Sequence, residues 1–310
     1  MPKIAFLFPG QGSQHAGMGK ALAQHEPLAR ETFEEADQAL GFALSELCFN
    51  GPEDQLRQTE NAQPALLAVS IAAWRVLQNY GYSPDFVAGH SLGEYSSLVV
   101  AGSLTFPDAL QLVRKRGQYM QEAVPPGRGA MAALLKLPEN KLESVLAEAS
   151  LGEVVTAANF NSPEQVVIAG HAGAVERAMD IAKVAGAKRA IELSVSAPFH
   201  CPLMKPAQER LKPDLDAAHF ADLKMPLINN WKAEPVTSSA AAREGLYQQV
   251  PNPVRWTDSI RAVRALGADR FVEVGAGSVL TGLCRQIDPS FKGAKFGDPA
   301  DLEKVKDVLA

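Results

Sequence analysis

The sequence feature that most restricts the fold is a repeated alternation of short apolar runs with longer helical patterns. The run at residues 4–8 ends at Pro9-Gly10, which is typical of a buried strand that stops at a turn. A second short run, at 86–89, follows a long helical pattern at 61–80. Alternation of this kind predicts a parallel sheet with helices packed on both of its faces.

The alternation is interrupted after the Pro- and Gly-rich stretch 125–129. The interruption has the element order β-α-β-β-α-β, which is that of a ferredoxin-like unit. Its predicted strands and helices lie at 130–137, 138–149, 154–159, 165–169, 172–185 and 188–195. We therefore predict an α/β chain with a small ferredoxin-like domain at 128–195, inserted into a large domain formed by 1–127 and 196–310.

Composition and charge exclude several classes of protein. The 310 residues are 46% hydrophobic and 21% charged, and the formal net charge is −5, so we expect no attraction to nucleic acid or to an anionic membrane. The three cysteines are widely spaced, which fits no metal knuckle or disulfide framework and indicates a reducing compartment. Since no apolar run is long enough for a signal peptide or a membrane span, we expect a cytoplasmic protein.

Residues 89–93 read GHSLG, a Gly-x-Ser-x-Gly pattern between the predicted strand at 86–89 and a helix predicted at 91–100. Its glycines permit a sharp turn that lifts the Ser91 oxygen out of the sheet, as a nucleophilic serine requires. The same turn points the backbone amide of Leu92 toward the place where an oxyanion would form. The alternative is that the serine is only a helix N-cap, with a glutamate three residues later completing a capping box.

A serine nucleophile needs a base, and the chain contains six histidines. His90 is adjacent to Ser91, but neighbours on a tight turn usually point apart. His200 lies between Pro198 and Pro202, where the small domain returns to the large one. The residues alone leave two interpretations open for His200: a general base, or a packed loop histidine that caps the following helix.

Several motifs occur in order along the chain. They are FPGQGSQ at 8–14, GHSLGEY at 89–95, RG at 116–117 with MQ at 120–121, PFH at 198–200 with LM at 203–204, NPVRW at 252–256 and EVGAG at 273–277. Together they resemble the malonyl-CoA:acyl carrier protein transacylases and the acyltransferase domains of fatty acid and polyketide synthases. The resemblance covers nearly the whole chain. It implies an α/β-hydrolase-like core with a parallel sheet plus an inserted ferredoxin-like subdomain, which agrees with the predicted organisation.

The resemblance also implies roles for individual residues. Ser91 would be the nucleophile that carries a malonyl ester, and His200 would act first as general base and then as general acid. The backbone amides of Gln11 and Leu92 would form the oxyanion hole. No acidic third member of a triad is evident between Ser91 and His200. The family instead orients its histidine through a backbone carbonyl near a glutamine, and the matching residue is Gln249.

Two features complicate the match at this glutamine. Gln248 is adjacent and offers a second candidate, and Pro251 is not expected at its position. Gln249 is preferred because it precedes Asn252 by three residues.

Arg116 falls on the apolar stripe of the helix predicted at 106–123. The stripe is formed, at spacings of three and four, by Ala109, Leu112, Val113, Gly117 and Met120. A charged residue on a core-facing stripe must be paired or face a cavity, unless it snorkels at the domain edge. The resemblance implies the cavity, where Arg116 would bind the free carboxylate of the malonyl group with its planar fork.

Four further residues are candidates. Met120 belongs to the motif that contains Arg116 and would line the substrate pocket. Phe199 occupies a position that the family associates with acyl size selection, and it could equally be packing. Lys188 and Arg189 are candidates for docking an acidic carrier protein, although such a charge pair is usually a solvated strand end.

We expect no cofactor and no metal. The turns at 10–12 and 275–277 each lack the third glycine of a dinucleotide-binding loop. The leading hypothesis is therefore a monomeric acyltransferase that moves malonyl from malonyl-CoA, a substrate, to the phosphopantetheine thiol of acyl carrier protein. A lipase or thioesterase is disfavoured by the inward Arg116 and the missing acid. A non-catalytic carrier-binding homologue is disfavoured by the presence of both Ser91 and His200.

Overall fold

A computed structural model describes residues 2–310. In that range the strands are β1 (Lys3–Phe8), β2 (Phe86–Gly89), β3 (Gly129–Leu135), β4 (Val155–Ser162), β5 (Gln165–His171), β6 (Arg189–Glu192), β7 (Leu227–Ile228), β8 (Pro235–Val236), β9 (Ala268–Val274) and β10 (Gly293–Phe296). The α-helices are α1 (Lys20–His25), α2 (Pro27–Leu40), α3 (Leu44–Asn50), α4 (Glu53–Leu56), α5 (Thr59–Asn79), α6 (Gly93–Val100), α7 (Phe106–Glu122), α8 (Leu142–Ser150), α9 (Ala172–Val184), α10 (Lys205–Ala217), α11 (Ser239–Gln249), α12 (Trp256–Ala265), α13 (Val279–Ile287) and α14 (Leu302–Leu309).

The larger sheet has the strand order β10-β9-β1-β2-β7-β8. Its neighbouring strands are parallel except for β8, which runs antiparallel to β7. The register pairs Phe8 with Gly89, so β1 and β2 end together. Because ligands of open α/β sheets bind at the carboxyl ends of the strands, the two loops that follow Phe8 and Gly89 form the natural place for a site.

Helices cover both faces of this sheet, as the alternation predicts. On one face α5 is buried along most of its length and packs against α2 and α7. On the other face Leu7 of β1 packs with Trp256 and Ile260 of α12 and with Leu280 of α13. Within residues 2–310, no helix is both long and apolar enough to cross a bilayer.

The smaller sheet has the order β4-β5-β3-β6, and all of its pairs are antiparallel. Alternation along β3 divides its side chains between two cores. Ala132 and Leu134 pack with α8 and α9, whereas Met131 and Ala133 join the main core that includes the large sheet. The chain is therefore a mixed α/β fold with a parallel sheet and a separate antiparallel sheet, which confirms the predicted fold at that level.

Several boundaries differ from the sequence prediction. The helix predicted from Ser91 begins at Gly93, because Ser91 has a positive φ of 50°. Strand β7 ends at Ile228, because the Asn230 backbone turns away to bond the Glu94 side chain. The strand predicted at 188–195 spans only β6. The prediction also lacks α3, α4, β8, β10 and α14, which are too short to show a clear periodicity.

Candidate active site

Ser91 stands at a tight turn between β2 and α6. Its φ of 50° lies in the left-handed region, which costs a residue with a side chain about 1–2 kcal/mol. A Cβ on Gly89 would lie 1.9 Å from the backbone of Gly93, and one on Gly93 would lie 2.0 Å from the Phe8 carbonyl oxygen. Both glycines of the motif are therefore needed to close the turn that presents Ser91.

The loop after β1 packs against this turn. A Cβ on Gly10 would lie 2.4 Å from the His90 carbonyl oxygen, so this contact also requires glycine. The next residue, Gln11, donates its side-chain amide to Thr59 Oγ1 at 3.2 Å. Among residues 2–310, the backbone N–H groups of Gln11 and Leu92 have no hydrogen-bond acceptor, and they are therefore able to donate to an oxyanion.

His200 brings its imidazole to the serine. Ser91 Oγ lies 2.7 Å from His200 Nε2, and His200 Nδ1 lies 3.0 Å from the backbone carbonyl oxygen of Gln249. Because a carbonyl only accepts, Nδ1 carries the proton and Nε2 is free to accept the serine proton. The structure thus places Gln249 behind the imidazole, while the Gln248 side chain bonds Glu244 and Asn252. The N-cap of α10 is Met204, so the helix-capping interpretation of His200 is wrong.

The surroundings keep His200 neutral. Burial, together with the positive charge of Arg116, lowers the pKa of His200 to about 3, against the opposing effect of the hydrogen bond to Gln249. A neutral imidazole is the form that accepts a proton. The φ of His200 is also positive, at 57°, so the serine and the histidine both depend on their surroundings to hold a strained backbone.

Arg116 projects from α7 into the core rather than to the domain edge, and its exposure is 1%. Its guanidinium donates to Gln63 Oε1 at 2.7 Å, to Gln249 Oε1 at 2.9 Å and to Ser91 Oγ at 3.1 Å. All three partners are neutral, so these contacts supply the buried cation with no counter-charge. A carboxylate bound beside Ser91 would supply one.

Glu94 does not close a capping box with Ser91. Its carboxylate accepts from the Asn230 N–H at 3.0 Å and from Gln249 Nε2 at 2.8 Å, and the Ser91 N–H donates to Asn230 Oδ1 at 2.6 Å. The N-cap interpretation of the motif is therefore wrong. Burial raises the pKa of Glu94 to about 7, against its hydrogen bonds and the nearby charge of Arg116.

Sequence reasoning missed Gln63 and Asn230. A signal exists for each. Gln63 is a polar residue in the apolar helix α5, where its 1% exposure demands a hydrogen-bond partner. Asn230 follows the strand that pairs with β2, so it lies at the same sheet edge as Ser91.

His90 points away from the serine oxygen, toward the small sheet. Its Nε2 lies 2.8 Å from Asn161 Oδ1 of β4, and its ring centroid lies 5.6 Å from that of Trp256. Burial lowers the pKa of His90. The residue next to the nucleophile therefore links the two sheets, and it is not placed to act as the base.

The serine opens into a cavity of about 530 Å³, a volume that suits a small-molecule site. Its floor comes from the loops that follow β1 and β2, from helix α7 and from the segment before α10, and is formed by Gln11, Ser91, Arg116, Met120, Phe199 and His200. Its opposite wall includes Met131, Asn161, Val167 and Leu193, from the small sheet and the segment that follows it. Among residues 2–310, no group of three or more His, Cys, Asp or Glu side chains is placed to hold a metal ion.

Lys188 and Arg189 do not line this cavity. Both are exposed and border a smaller depression of about 330 Å³. Gln165 lines both the depression and the cavity, so the two are neighbours. The structure thus brings the predicted catalytic residues together and leaves the predicted docking pair outside the cavity, next to it.

A serine bonded to a neutral histidine is equipped for acyl transfer, and acyl transferase is the class to which the fold and the site belong. A family model described as the acyl transferase domain matches residues 5–294. That match covers both sheets, so the class applies to the whole of the fold described above.

The relatives define the family more narrowly. The chain is 49% identical over 310 residues to the malonyl CoA-acyl carrier protein transacylase of Bacillus subtilis strain 168, with 100% of this chain and 98% of that one covered. It is 48% identical over 303 residues to the enzyme of the same name from Escherichia coli K12, with 97% and 98% covered. The chain belongs to the malonyl CoA-acyl carrier protein transacylase family, as its motifs predict.

Solved structures agree with this assignment. The malonyl CoA-acyl carrier protein transacylase of Coxiella burnetii superposes with a TM-score of 0.97 at 43% identity, covering 100% of this chain and 99% of that one. A malonyl-transacylase solved in complex with a type II PKS acyl-carrier protein superposes with a TM-score of 0.96 at 45% identity, covering 98% and 99%. The likeness therefore extends over the whole fold.

Proposed function

We propose that this protein transfers the malonyl group from malonyl-CoA to the phosphopantetheine thiol of an acyl carrier protein, and that a malonyl ester on Ser91 is the intermediate. The relatives are named as transacylases that act between malonyl CoA and acyl carrier protein. The observation that carries the proposal is the buried Arg116 guanidinium, 3.1 Å from Ser91 Oγ and bonded only to neutral groups. A malonyl thioester ends in a carboxylate, which would give this cation a directly bonded counter-charge, and an acetyl or fatty acyl thioester does not.

The first half-reaction loads the serine. Ser91 Oγ attacks the thioester carbonyl while His200 Nε2 takes the hydroxyl proton. The carbonyl oxygen becomes an oxyanion, which the backbone amides of Gln11 and Leu92 stabilise. When the C–S bond breaks, His200 returns its proton to the departing coenzyme A thiolate.

The second half-reaction unloads it. The carrier-protein thiol attacks the malonyl ester, His200 removes the thiol proton, and the same amides stabilise the oxyanion. Ser91 then leaves as the alcohol with the proton from His200. A carbonyl, that of Gln249, orients the imidazole in place of a triad acid, and we propose that this weaker partner disfavours attack by water.

Substrate selection follows from the same cavity. We propose that Arg116 binds the malonyl carboxylate and that Met120 and Phe199, which line the cavity, limit the size of the acyl group. Lys188 and Arg189 remain candidates for docking an acidic carrier protein. Reversing their charge should raise KM for the carrier protein and leave KM for malonyl-CoA unchanged.

We also propose how the two parts of the chain are classified by fold. The small sheet, with order β4-β5-β3-β6 and helices α8 and α9 packed on it, supports a ferredoxin-like subdomain at 128–195. The strand-turn-helix around Ser91 supports an α/β-hydrolase-like core formed by 1–127 and 196–310. We further propose that the protein is a monomeric cytoplasmic enzyme that needs no cofactor and supplies fatty acid or polyketide synthesis.

Intact-mass spectrometry tests the function directly. Malonyl-CoA alone should leave one malonyl group on the protein, holo carrier protein should remove it, and initial rates should follow a ping-pong pattern. Ser91→Ala is the matched control and should stay unmodified. A hydrolase would instead release free malonate without carrier protein. Intersecting double-reciprocal lines with no adduct would contradict the proposal.

A further inference from the structure

A cluster of three buried side chains lies beneath the nucleophile, and the mechanism above uses only one of them. Asn230, Glu94 and Gln249 have exposures of 0%, 1% and 0%. None of the three lines the cavity. They hydrogen-bond to one another, with Asn230 N and Gln249 Nε2 both donating to the same carboxylate oxygen of Glu94.

Asn230 binds the backbone of the turn at two points. Its Oδ1 accepts the Ser91 N–H at 2.6 Å, and its Nδ2 donates to the Gly89 carbonyl oxygen at 2.6 Å. These two groups lie on either side of His90. One side chain therefore holds together both ends of the peptide segment that enters the strained serine.

The serine turn needs such support. Ser91 is a non-glycine residue at positive φ, a conformation that persists only where the surroundings enforce it. The orientation of its peptide groups decides where Oγ points and where the Leu92 N–H points. Relaxation of this turn would therefore move the nucleophile and one proposed oxyanion donor together.

Glu94 in turn holds the other two members of the cluster, Asn230 and Gln249. Its carboxylate accepts the Asn230 N–H at 3.0 Å and Gln249 Nε2 at 2.8 Å. Gln249 in turn positions Arg116 and His200. Its side chain accepts from Arg116 at 2.9 Å, and its backbone carbonyl accepts from His200 at 3.0 Å. No acid bonds His200 directly. Instead, Gln249 bonds His200 through its backbone and the acid Glu94 through its side chain.

We propose that Asn230 and Glu94 are positioning residues for acyl transfer: Asn230 holds the Ser91 turn in its reactive conformation, and Glu94 holds Asn230 and Gln249. The inference rests on the proposed acyl-transfer function. It assigns the two residues separate effects. Loss of Asn230 disturbs the serine and the Leu92 amide, whereas loss of Glu94 also loosens Gln249 and through it Arg116.

The experiment compares Asn230→Ala with the matched control Asn229→Ala. Asn229 is the adjacent residue of the same type and is also buried, but its side-chain oxygen accepts from the backbone of Lys232 and Glu234, away from Ser91. Rates are measured for malonyl-CoA and acetyl-CoA, per mole of Ser91 that can be acylated. This normalisation removes any contribution from unfolded protein.

We expect Asn230→Ala to lower kcat about 100-fold, the lower end of the loss seen for an oxyanion donor, with KM changed less than about threefold. The ratio of malonyl to acetyl activity should stay at the parent value, because Gln63 and Gln249 still hold Arg116. Asn229→Ala should keep kcat within about threefold of the parent. Equal kcat values for the two variants would overturn the role of Asn230.

Glu94→Leu keeps the proposal testable if Asn230→Ala does not fold. Leucine has a similar volume and accepts no hydrogen bond, so kcat should fall at least about tenfold and the malonyl-to-acetyl ratio should fall as well. Glu94→Gln retains an acceptor oxygen and should recover most of the lost activity. A Glu94→Leu variant with parent kcat and parent ratio would overturn the role of Glu94. Failure of the acyl-transfer function itself would be visible separately, as a parent protein that forms no malonyl-serine adduct.

Discussion

The two sides of the cavity are built in opposite ways. On the floor, Ser91, His200 and Arg116 are each held by side-chain hydrogen bonds between 2.7 and 3.1 Å. On the opposite wall, Met131, Val167 and Leu193 present apolar groups from the small sheet and the segment after it. Two tasks are thereby separated, because proton transfer and charge recognition require the fixed polar groups of the floor, whereas the apolar groups of the wall exclude water and limit the shape of the acyl group.

The hydrogen bonds that join the two sides of the cavity are made by β4 and not by the apolar residues of the wall. Strand β4 of the small sheet is hydrogen-bonded to α12, to the residue Val254 before it and to α13, which pack on the large sheet. Phe160 N donates to the Val254 carbonyl at 2.9 Å, Thr257 Oγ1 donates to the Phe160 carbonyl at 3.0 Å, and Ser162 Oγ donates to Gln286 at 2.7 Å. The wall is therefore attached through β4, and changes in its apolar residues leave these bonds in place.

The largest expected effect belongs to the floor. His200→Ala removes the proposed base and should slow acyl transfer about 100-fold or more, with binding of malonyl-CoA nearly intact. His90→Ala is the control, since His90 is also a buried histidine beside Ser91 but bonds Asn161, and it should slow transfer far less. Rapid-quench acylation measures both. Transfer by His200→Ala at close to the parent rate would show that the base lies elsewhere.

The second largest effect concerns the pH dependence of catalysis by His200. Because burial and Arg116 lower the pKa of His200 to about 3, the base stays neutral as the pH falls, and protonation should reduce kcat/KM only at strongly acidic pH. At pH 5 an ordinary histidine would be only about 3% neutral. Using acetyl-CoA, which has no carboxylate to titrate, the parent should keep most of its kcat/KM at pH 5.

The pH profile of Arg116→Ala tests the same explanation. In Arg116→Ala the nearby positive charge is gone, so the pKa of His200 should rise and the acid limb should move to higher pH. In Glu94→Gln, where the buried acid with a pKa of about 7 is absent, an acid limb at the ordinary histidine value of about 6.5 would contradict the described environment of His200.

The smallest effect is expected on the wall. Val167→Ala removes apolar groups that line the cavity, and each buried methylene is worth about 0.8 kcal/mol. Two such groups are lost, so KM for malonyl-CoA should rise by no more than about 15-fold, with kcat within about threefold of the parent. Steady-state kinetics of the folded variant measure both. A fall in kcat as large as that of His200→Ala would mean that the wall takes part in the chemistry.

Sequence patterns predicted the parts of this molecule that depend on local chain geometry. The strand at 86–89 has the predicted bounds, and the helical stripe placed Arg116 in the core. These inferences use residues a few positions apart, where periodicity and turn chemistry act directly.

The patterns failed where a distant partner decides the outcome. Ser91 and Glu94 have the spacing of a capping box, but Asn230 takes the Ser91 N–H that the box would have used. Asn230 and Gln63 lie far along the chain from the residues they bond, and no local pattern pairs them. The Ser-x-x-Glu spacing is present, but the tertiary contact with Asn230 replaces the capping box at the strained turn that carries the nucleophile.

The proposed recognition of the malonyl carboxylate by Arg116 predicts a change in substrate preference when the guanidinium is removed. The change is measured as the ratio of kcat/KM for malonyl-CoA to that for acetyl-CoA, determined in Arg116→Ala and in Val167→Ala. Loss of a buried charge partner costs about 2–5 kcal/mol, so malonyl activity of Arg116→Ala should fall about 30- to 3,000-fold, while acetyl activity holds or rises. In Val167→Ala the ratio should stay within about threefold of the parent. An unchanged ratio in folded Arg116→Ala would contradict the proposed recognition and leave Arg116 a structural residue.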